Sequence, residues 1–148
     1  MWKKAFIMLF FYKFDIIWLV NFMKAITIKE PWASLIINGY KKYEFRSWKT
    51  NYRGKLLIHA GLNTDKDILH NFDKYDLEYH NGYIIGEATI SDCILVNKNF
   101  NNKLYEENND VYGKNYVGLY AWKIENVIKY DNPVPYKGKL GLWNYEEW

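Results

Sequence analysis

From Met23 onward the chain breaks into short runs with strand-like or helix-like periods. Ala25-Ile26-Thr27-Ile28 alternates with the two-residue period of a strand. Glu30-Pro31 interrupts it, and Trp32-Ala33-Ser34-Leu35-Ile36-Ile37 reads as a short helix. Pro31 sits where a first helical turn tolerates it, and Asn38-Gly39 supplies the stop. Lys41 to Trp48 is predicted as a second strand, alternating aromatic and charged through Tyr43-Glu44-Phe45-Arg46. After the turn at Arg53-Gly54, Lys55 to Ala60 has the apolar run of a buried strand. Asp65 to Tyr79 opens with Thr64-Asp65-Lys66-Asp67 and has apolar positions Ile68, Leu69, Phe72, Tyr75, Leu77 and Tyr79, an imperfect helical spacing that predicts an N-capped amphipathic helix. Tyr83 to Val96 is the longest strand. Residues 97–113 read as a polar, Asn-rich loop with a helical piece near Lys103–Asn108. Tyr116 to Tyr130 is either a strand pair or one long bent strand, residues 131–138 form a turn fixed by Pro133 and Pro135, and Leu140 to Tyr145 is the last strand. About six closely spaced strands with two or three helices predict an α+β, mainly β fold: a small curved barrel with helices flanking it.

Residues 1–22 do not share this pattern. Two lysines precede an apolar run from Ala5 to Tyr12, and Lys13 and Asp15 interrupt it before Ile16 to Val20. Charges so near the centre offset most of the gain from inserting the segment in a bilayer. It also lacks a small-x-small cleavage site. The expected organisation is therefore a hydrophobic appendage at 1–22 and one domain at 23–148. The appendage is either translated from a start codon too far upstream or a weak peripheral membrane anchor. A chain starting at Met23 is expected to melt within about 1 kcal/mol of the full chain.

Composition sharpens the picture. The 148 residues are 49% hydrophobic and 25% charged, enough for one packed domain. Aromatics reach 20%, which favours a β-rich fold or a surface that stacks on flat ligands. The single cysteine, Cys93, excludes an intramolecular disulfide and a Cys-cluster zinc site, and fits a reducing, cytoplasmic compartment. His59, His70 and His80 spell no metal motif, and nothing in the sequence calls for a cofactor. Of the net charge of +3, residues 1–22 supply three lysines against one aspartate, leaving almost none for the domain. Bulk charge thus argues against a non-specific nucleic-acid binder, and any such contact must be local. Among 20 basic residues only Arg46 and Arg53 are arginine, so each suggests a task needing a planar fork.

The informative cluster is Gly39-Tyr40-Lys41-Lys42-Tyr43-Glu44-Phe45-Arg46. Strand alternation puts Glu44 and Arg46 on one face as a charge-assisted pair, with Lys41 on the other. The spacing G-x-K-x-x-E-x-R at Gly39, Lys41, Glu44 and Arg46 resembles the signature of the ASCH domain, a relative of the PUA domain with a small β-barrel. Further patches stand in the family's order: Pro31-Trp32-Ala33, Gly54 to Ala60, Ile85 to Ala88, Tyr120-Ala121-Trp122, and Pro133 to Gly138 leading to Leu142-Trp143. The resemblance spans roughly residues 23 to 145.

What the resemblance implies is a domain that binds RNA or a modified nucleoside in a cleft lined by Lys41, Glu44 and Arg46. Placing all three in one cleft conflicts with simple alternation, unless the chain bends or bulges after Gly39. Some similar family members are amidohydrolases that deacetylate a modified cytidine with a threonine nucleophile, and Glu44 stands at that position here. The alternative function is therefore hydrolysis of an acetylated nucleoside, or RNA cleavage, with Glu44 as general base and Lys41 as its partner. Trp32 and Trp122 are candidates to stack on a base, Ser34 to contact ligand or act as a substitute nucleophile, and Lys137, beside Lys139, to meet phosphate. No DNA specificity is evident, and the protein is expected to be a monomer that touches membrane only through residues 1–22. His59 reads as a hydrogen-bonded core histidine and Cys93 as a small buried hydrophobe.

Overall fold

A computed structural model describes residues 23–146, so the readings for residues 1–22 lie outside the described residues. Six strands form one sheet: β1 (Met23–Glu30), β2 (Tyr43–Arg46), β3 (Gly54–Thr64), β4 (Tyr83–Leu95), β5 (Tyr120–Pro135) and β6 (Leu142–Tyr145). Their spatial order is β2-β5-β4-β3-β1-β6, with β1 and β3 parallel and every other pair antiparallel. The α+β, mainly β expectation holds. Helix α1 (Trp32–Ile37) lies where the sequence placed it.

α1 buries Ile36 and Ile37 in a core with Ile26, Ile28, Ile58, Ile90 and Trp122 from the sheet. Leu35 turns the other way, into a second cluster with Phe72, Leu104, Tyr112 and Tyr116. A third, smaller cluster of Ala25, Leu57, Ile84 and Trp143 completes the interior. The apolar runs of β1, β3 and β4 thus wrap one short helix, which fixes the position of the segment following it.

Four local expectations change. The second strand is shorter than Lys41–Trp48, since pairing begins only at Tyr43. Residues 65–79 form a 3₁₀ helix, Lys66–Tyr75, rather than an N-capped α-helix. No side chain of Thr64-Asp65-Lys66-Asp67 caps it, and Asp65, at the N-cap position, instead accepts a hydrogen bond from Trp32 Nε1 at 2.8 Å. The helical piece in the Asn-rich loop is a full helix, α2 (Lys98–Glu107), capped by the Asn97 side chain accepting from the Phe100 N–H. The proline turn is instead the end of β5, where Tyr83 pairs with Pro135 and Ile84 with Val134. β2 covers only residues 120–123 of β5, so the far end of β5 is an edge, where missing proline N–H groups cost no ladder bond.

Burial in the second cluster raises the Tyr112 hydroxyl pKa, and pushes that of Tyr116 up to about 12. Both phenols stay protonated in the folded chain after they ionise in the unfolded one. Stability they contribute is full below about pH 10 and is lost as pH rises towards the folded values. Urea melts from about pH 9 to about pH 12 should show this decline, at up to about 1.4 kcal/mol per pH unit for each tyrosine. Tyr116→Phe should flatten it.

Candidate nucleoside-binding cleft

The cleft is built from the end of α1. Gly39, at φ +82, reverses the chain, and the N–H groups of Tyr40 and Lys41 both donate to the Leu35 carbonyl at 2.9 and 3.0 Å. Lys41 is therefore tied to the helix end and does not follow the alternation of β2. That bend resolves the conflict seen in the sequence and brings Lys41 to the side of Glu44.

Lys41 Nζ donates to Glu44 Oε2 at 3.0 Å and to the Tyr43 carbonyl at 2.6 Å. Arg46 Nε lies 3.1 Å from Glu44 Oε1, close enough to pair charges but misaligned for a hydrogen bond. One carboxylate thus sits between two cations, with side-chain exposures of 4% for Lys41, 10% for Glu44 and 24% for Arg46. Desolvation holds the Lys41 pKa below the usual lysine value, with Glu44 opposing that shift. Arg46 Nη2 also donates to the Thr27 carbonyl at 3.0 Å. Thr27 belongs to β1, four places from β2 in the sheet order, so this bond spans the mouth of a strongly curled sheet. The carbonyl is free to accept because β6 pairs with β1 only as far as Ile26.

A cavity of about 410 Å³ opens here, lined by Thr27, Trp32, Glu44, Arg46, Asp65 and Lys139 among others. A smaller recess of about 130 Å³ adjoins it through Trp32, Glu44 and Phe45, and adds Lys41, Lys114 and Tyr116. Trp32 is the shared wall. Its indole N–H is held by Asp65, whose carboxyl pKa that bond holds down, and the ammonium groups of Lys114 and Lys41 lie 5.1 and 5.7 Å from its ring centre.

The structure brings Lys41, Glu44, Arg46 and Trp32 together. Trp122 stands apart, fully buried in the core with its N–H donating to the Trp48 carbonyl, so it presents no face to a ligand. Ser34 is also a core residue. Its hydroxyl lies 2.8 Å from Glu30 Oε1 and 3.2 Å from the Glu78 carbonyl, while its backbone N–H donates to Glu30 Oε2. Lys137 is exposed on the far side of Lys139, in a neighbouring cavity. Arg53 spends its fork locally, on the carbonyls of Thr50 and Tyr52. Lys114 and Asp65 were missed as lining residues. Lys114 follows the Asn-rich loop with no signal of its own, and Asp65 falls within the segment expected to open a capped helix.

Glu30 is completely buried, and desolvation raises its carboxyl pKa. Such a group stabilises the fold most below pH 4.5, and this contribution is lost as pH climbs through the raised folded value. Glu30→Gln keeps an acceptor for the Ser34 N–H and removes that penalty. The variant should melt higher than the parent at neutral pH and lose the advantage at acid pH, as thermal scans across that range would show.

Among the described residues, no helix is long and apolar enough to cross a membrane. The model of the ASCH domain matches residues 26–134. The chain is 27% identical over 134 residues to activating signal cointegrator 1 of Mus musculus and of Homo sapiens, a match covering 82% of this chain and 22% of each relative. It therefore spans about a fifth of the length of those relatives. Among solved structures it is similar to an ASCH protein from Zymomonas mobilis, with TM-score 0.56 and 13% identity over 85% of this chain and 89% of that one. A tyrosine-to-phenylalanine variant of that protein matches at TM-score 0.52 and 13% identity, over 86% of this chain and 92% of the other. With its PUA-like, mainly β fold and its G-x-K-x-x-E-x-R segment converging on one cleft, the chain belongs to the ASCH domain family.

Proposed function

We propose that the cleft binds RNA through a single unpaired nucleoside, natural or modified. The observation that carries this reading is the half-used guanidinium of Arg46. Glu44 and the Thr27 carbonyl engage Nε and Nη2, Nη1 makes no hydrogen bond among the described residues, and the side chain lines a cavity of about 410 Å³. A fixed arginine fork suits a base edge or a phosphate, and the Trp32 ring beside it offers apolar contact to a heterocycle.

Binding is favoured over hydrolysis by the state of Glu44. Both its oxygens lie within 3.1 Å of a cation, Oε2 of Lys41 and Oε1 of Arg46, an arrangement suited to holding those two side chains in place for a ligand. The discriminating experiment incubates the protein with acetylated cytidine and with labelled single-stranded RNA, and follows product and binding together. Saturable binding without turnover, weakened in Arg46→Ala, is expected. Turnover abolished by Glu44→Gln would replace this reading with a hydrolase.

A further inference from the structure

A second cavity, of about 570 Å³, adjoins the cleft. The two share Thr27, Gly61, Leu62, Lys139 and Leu140 as a common rim. From this juxtaposition we propose that the second cavity is a subsite for the neighbouring base of the same RNA strand, with Lys139 meeting the phosphate between the two bases. The inference rests on the nucleoside reading of the first cavity and extends it from one nucleotide to two.

The second cavity has a built floor. His59 Nε2 lies 2.8 Å from the Tyr136 carbonyl, and the His59 ring packs edge-on against Trp143 at 6.0 Å. Tyr136 in turn stacks on Trp143, with ring centres 5.4 Å apart. Gly138 closes over this floor. A Cβ there would fall 2.6 Å from His59 Cε1 and 2.7 Å from Thr27 Oγ1, so only glycine lets the loop lie so close. The loop is thereby pressed onto the floor, and Lys137 and Lys139 stand on either side of the contact.

The rim is apolar and basic together. Leu62 and Leu140 are 82% and 98% exposed, a costly arrangement unless their faces meet something flat. No acidic residue lines the second cavity, neither Lys137 nor Lys139 forms an ion pair among the described residues, and the Lys139 ammonium lies 5.9 Å from the Trp143 ring centre. The carboxylates of the first cavity are already engaged, Glu44 by Lys41 and Arg46, and Asp65 by Trp32 and Lys29. Uncompensated positive charge therefore lies where the two cavities meet. Two compartments of base size separated by a lysine match the base–phosphate–base repeat of a single strand. A lone nucleoside in the first cavity would leave the second compartment and Lys137 unused.

The test titrates the full chain, followed by amide chemical shifts, with the four common ribonucleosides and with CpC, UpU, ApA and GpG. At least one dinucleotide should bind about tenfold tighter than its nucleoside, which is the scale of one added stacking or phosphate contact. Lys139→Gln should remove most of that gain, taken as the ratio of dinucleotide to nucleoside affinity in the same variant, and lower the slope of log K for the dinucleotide against log salt by about 0.7. Leu140→Ser should reduce the gain without changing the slope. Dinucleotides binding no tighter than nucleosides, or a gain untouched by both variants, overturns the second subsite while Arg46-dependent nucleoside binding keeps the first. Absence of any binding by nucleosides, dinucleotides and single-stranded hexamers overturns both. A gain that survives Arg46→Ala but not Lys139→Gln places the strand on the second cavity alone and overturns the two-site arrangement.

Discussion

Glu44→Ala is expected to cost about 3–5 kcal/mol of folding stability, because it strands the buried Lys41 ammonium without its counter-charge. Urea melts at neutral pH would measure it. The pH dependence identifies the cause. The Lys41 pKa is already held below the usual value of 10.5 by burial, with Glu44 as the opposing influence. Without Glu44 the folded chain holds that proton less tightly still, while the unfolded chain keeps its ordinary affinity. In the window below 10.5 the unfolded state then binds more protons, so the variant's stability rises with pH. The gap between variant and parent should narrow from neutral pH towards about pH 10, before tyrosine ionisation dominates. Adding Lys41→Met should recover much of the loss by replacing the stranded charge with an isosteric apolar chain. A cost under about 1 kcal/mol would mean that water screens the pair as it does an exposed one.

Arg46→Lys should weaken binding of labelled single-stranded RNA by about 1–3 kcal/mol, in a fluorescence-anisotropy titration. Lysine preserves the charge beside Glu44 but cannot reach Glu44, the Thr27 carbonyl and a ligand at once. Arg46→Ala should weaken binding at least as much. The stability cost of the lysine variant should be smaller, about 1 kcal/mol for the lost bond to Thr27. If instead the fold collapses while the remaining folded protein binds RNA normally, Arg46 is a strut and the ligand lies elsewhere.

Much of the fold was legible because the central strands carry strong apolar runs bounded by Gly, Asn and Pro. β1, α1, β3 and β4 fall close to where the period places them. The misreadings share a cause, which is that a side chain or strand end had a partner distant in sequence. Asp65 stands in a segment that reads as a capped helix start but serves Trp32, 33 residues earlier. Pro133 and Pro135 looked like a turn but lie along a stretch of β5 that β2 does not reach. Trp122 could not be told from a stacking tryptophan, since only the packing of α1 over the sheet makes it core. Glu44 and Arg46 could be paired from alternation alone. Lys41 could not, because its position depends on the reversal at Gly39. Lys114 reaches Trp32 only through the tertiary course of an Asn-rich loop.

The hydrogen bond from Arg46 to Thr27 gives the mouth of the sheet a clasp made of a side chain rather than of backbone ladder. β2 has four residues and one strand neighbour, as β6 does at the other edge, so it is one of the two strands with least backbone holding them. Whatever draws the guanidinium towards a ligand loosens that clasp, and whatever ligand bridges Arg46 to the Thr27 rim reinforces it. Occupancy should therefore be written in the breathing of the sheet: slower hydrogen exchange at Tyr43 to Arg46 when the mouth is bridged, faster when the arginine is pulled aside. The same four amides would report which way the ligand tugs, without any need to see the ligand itself.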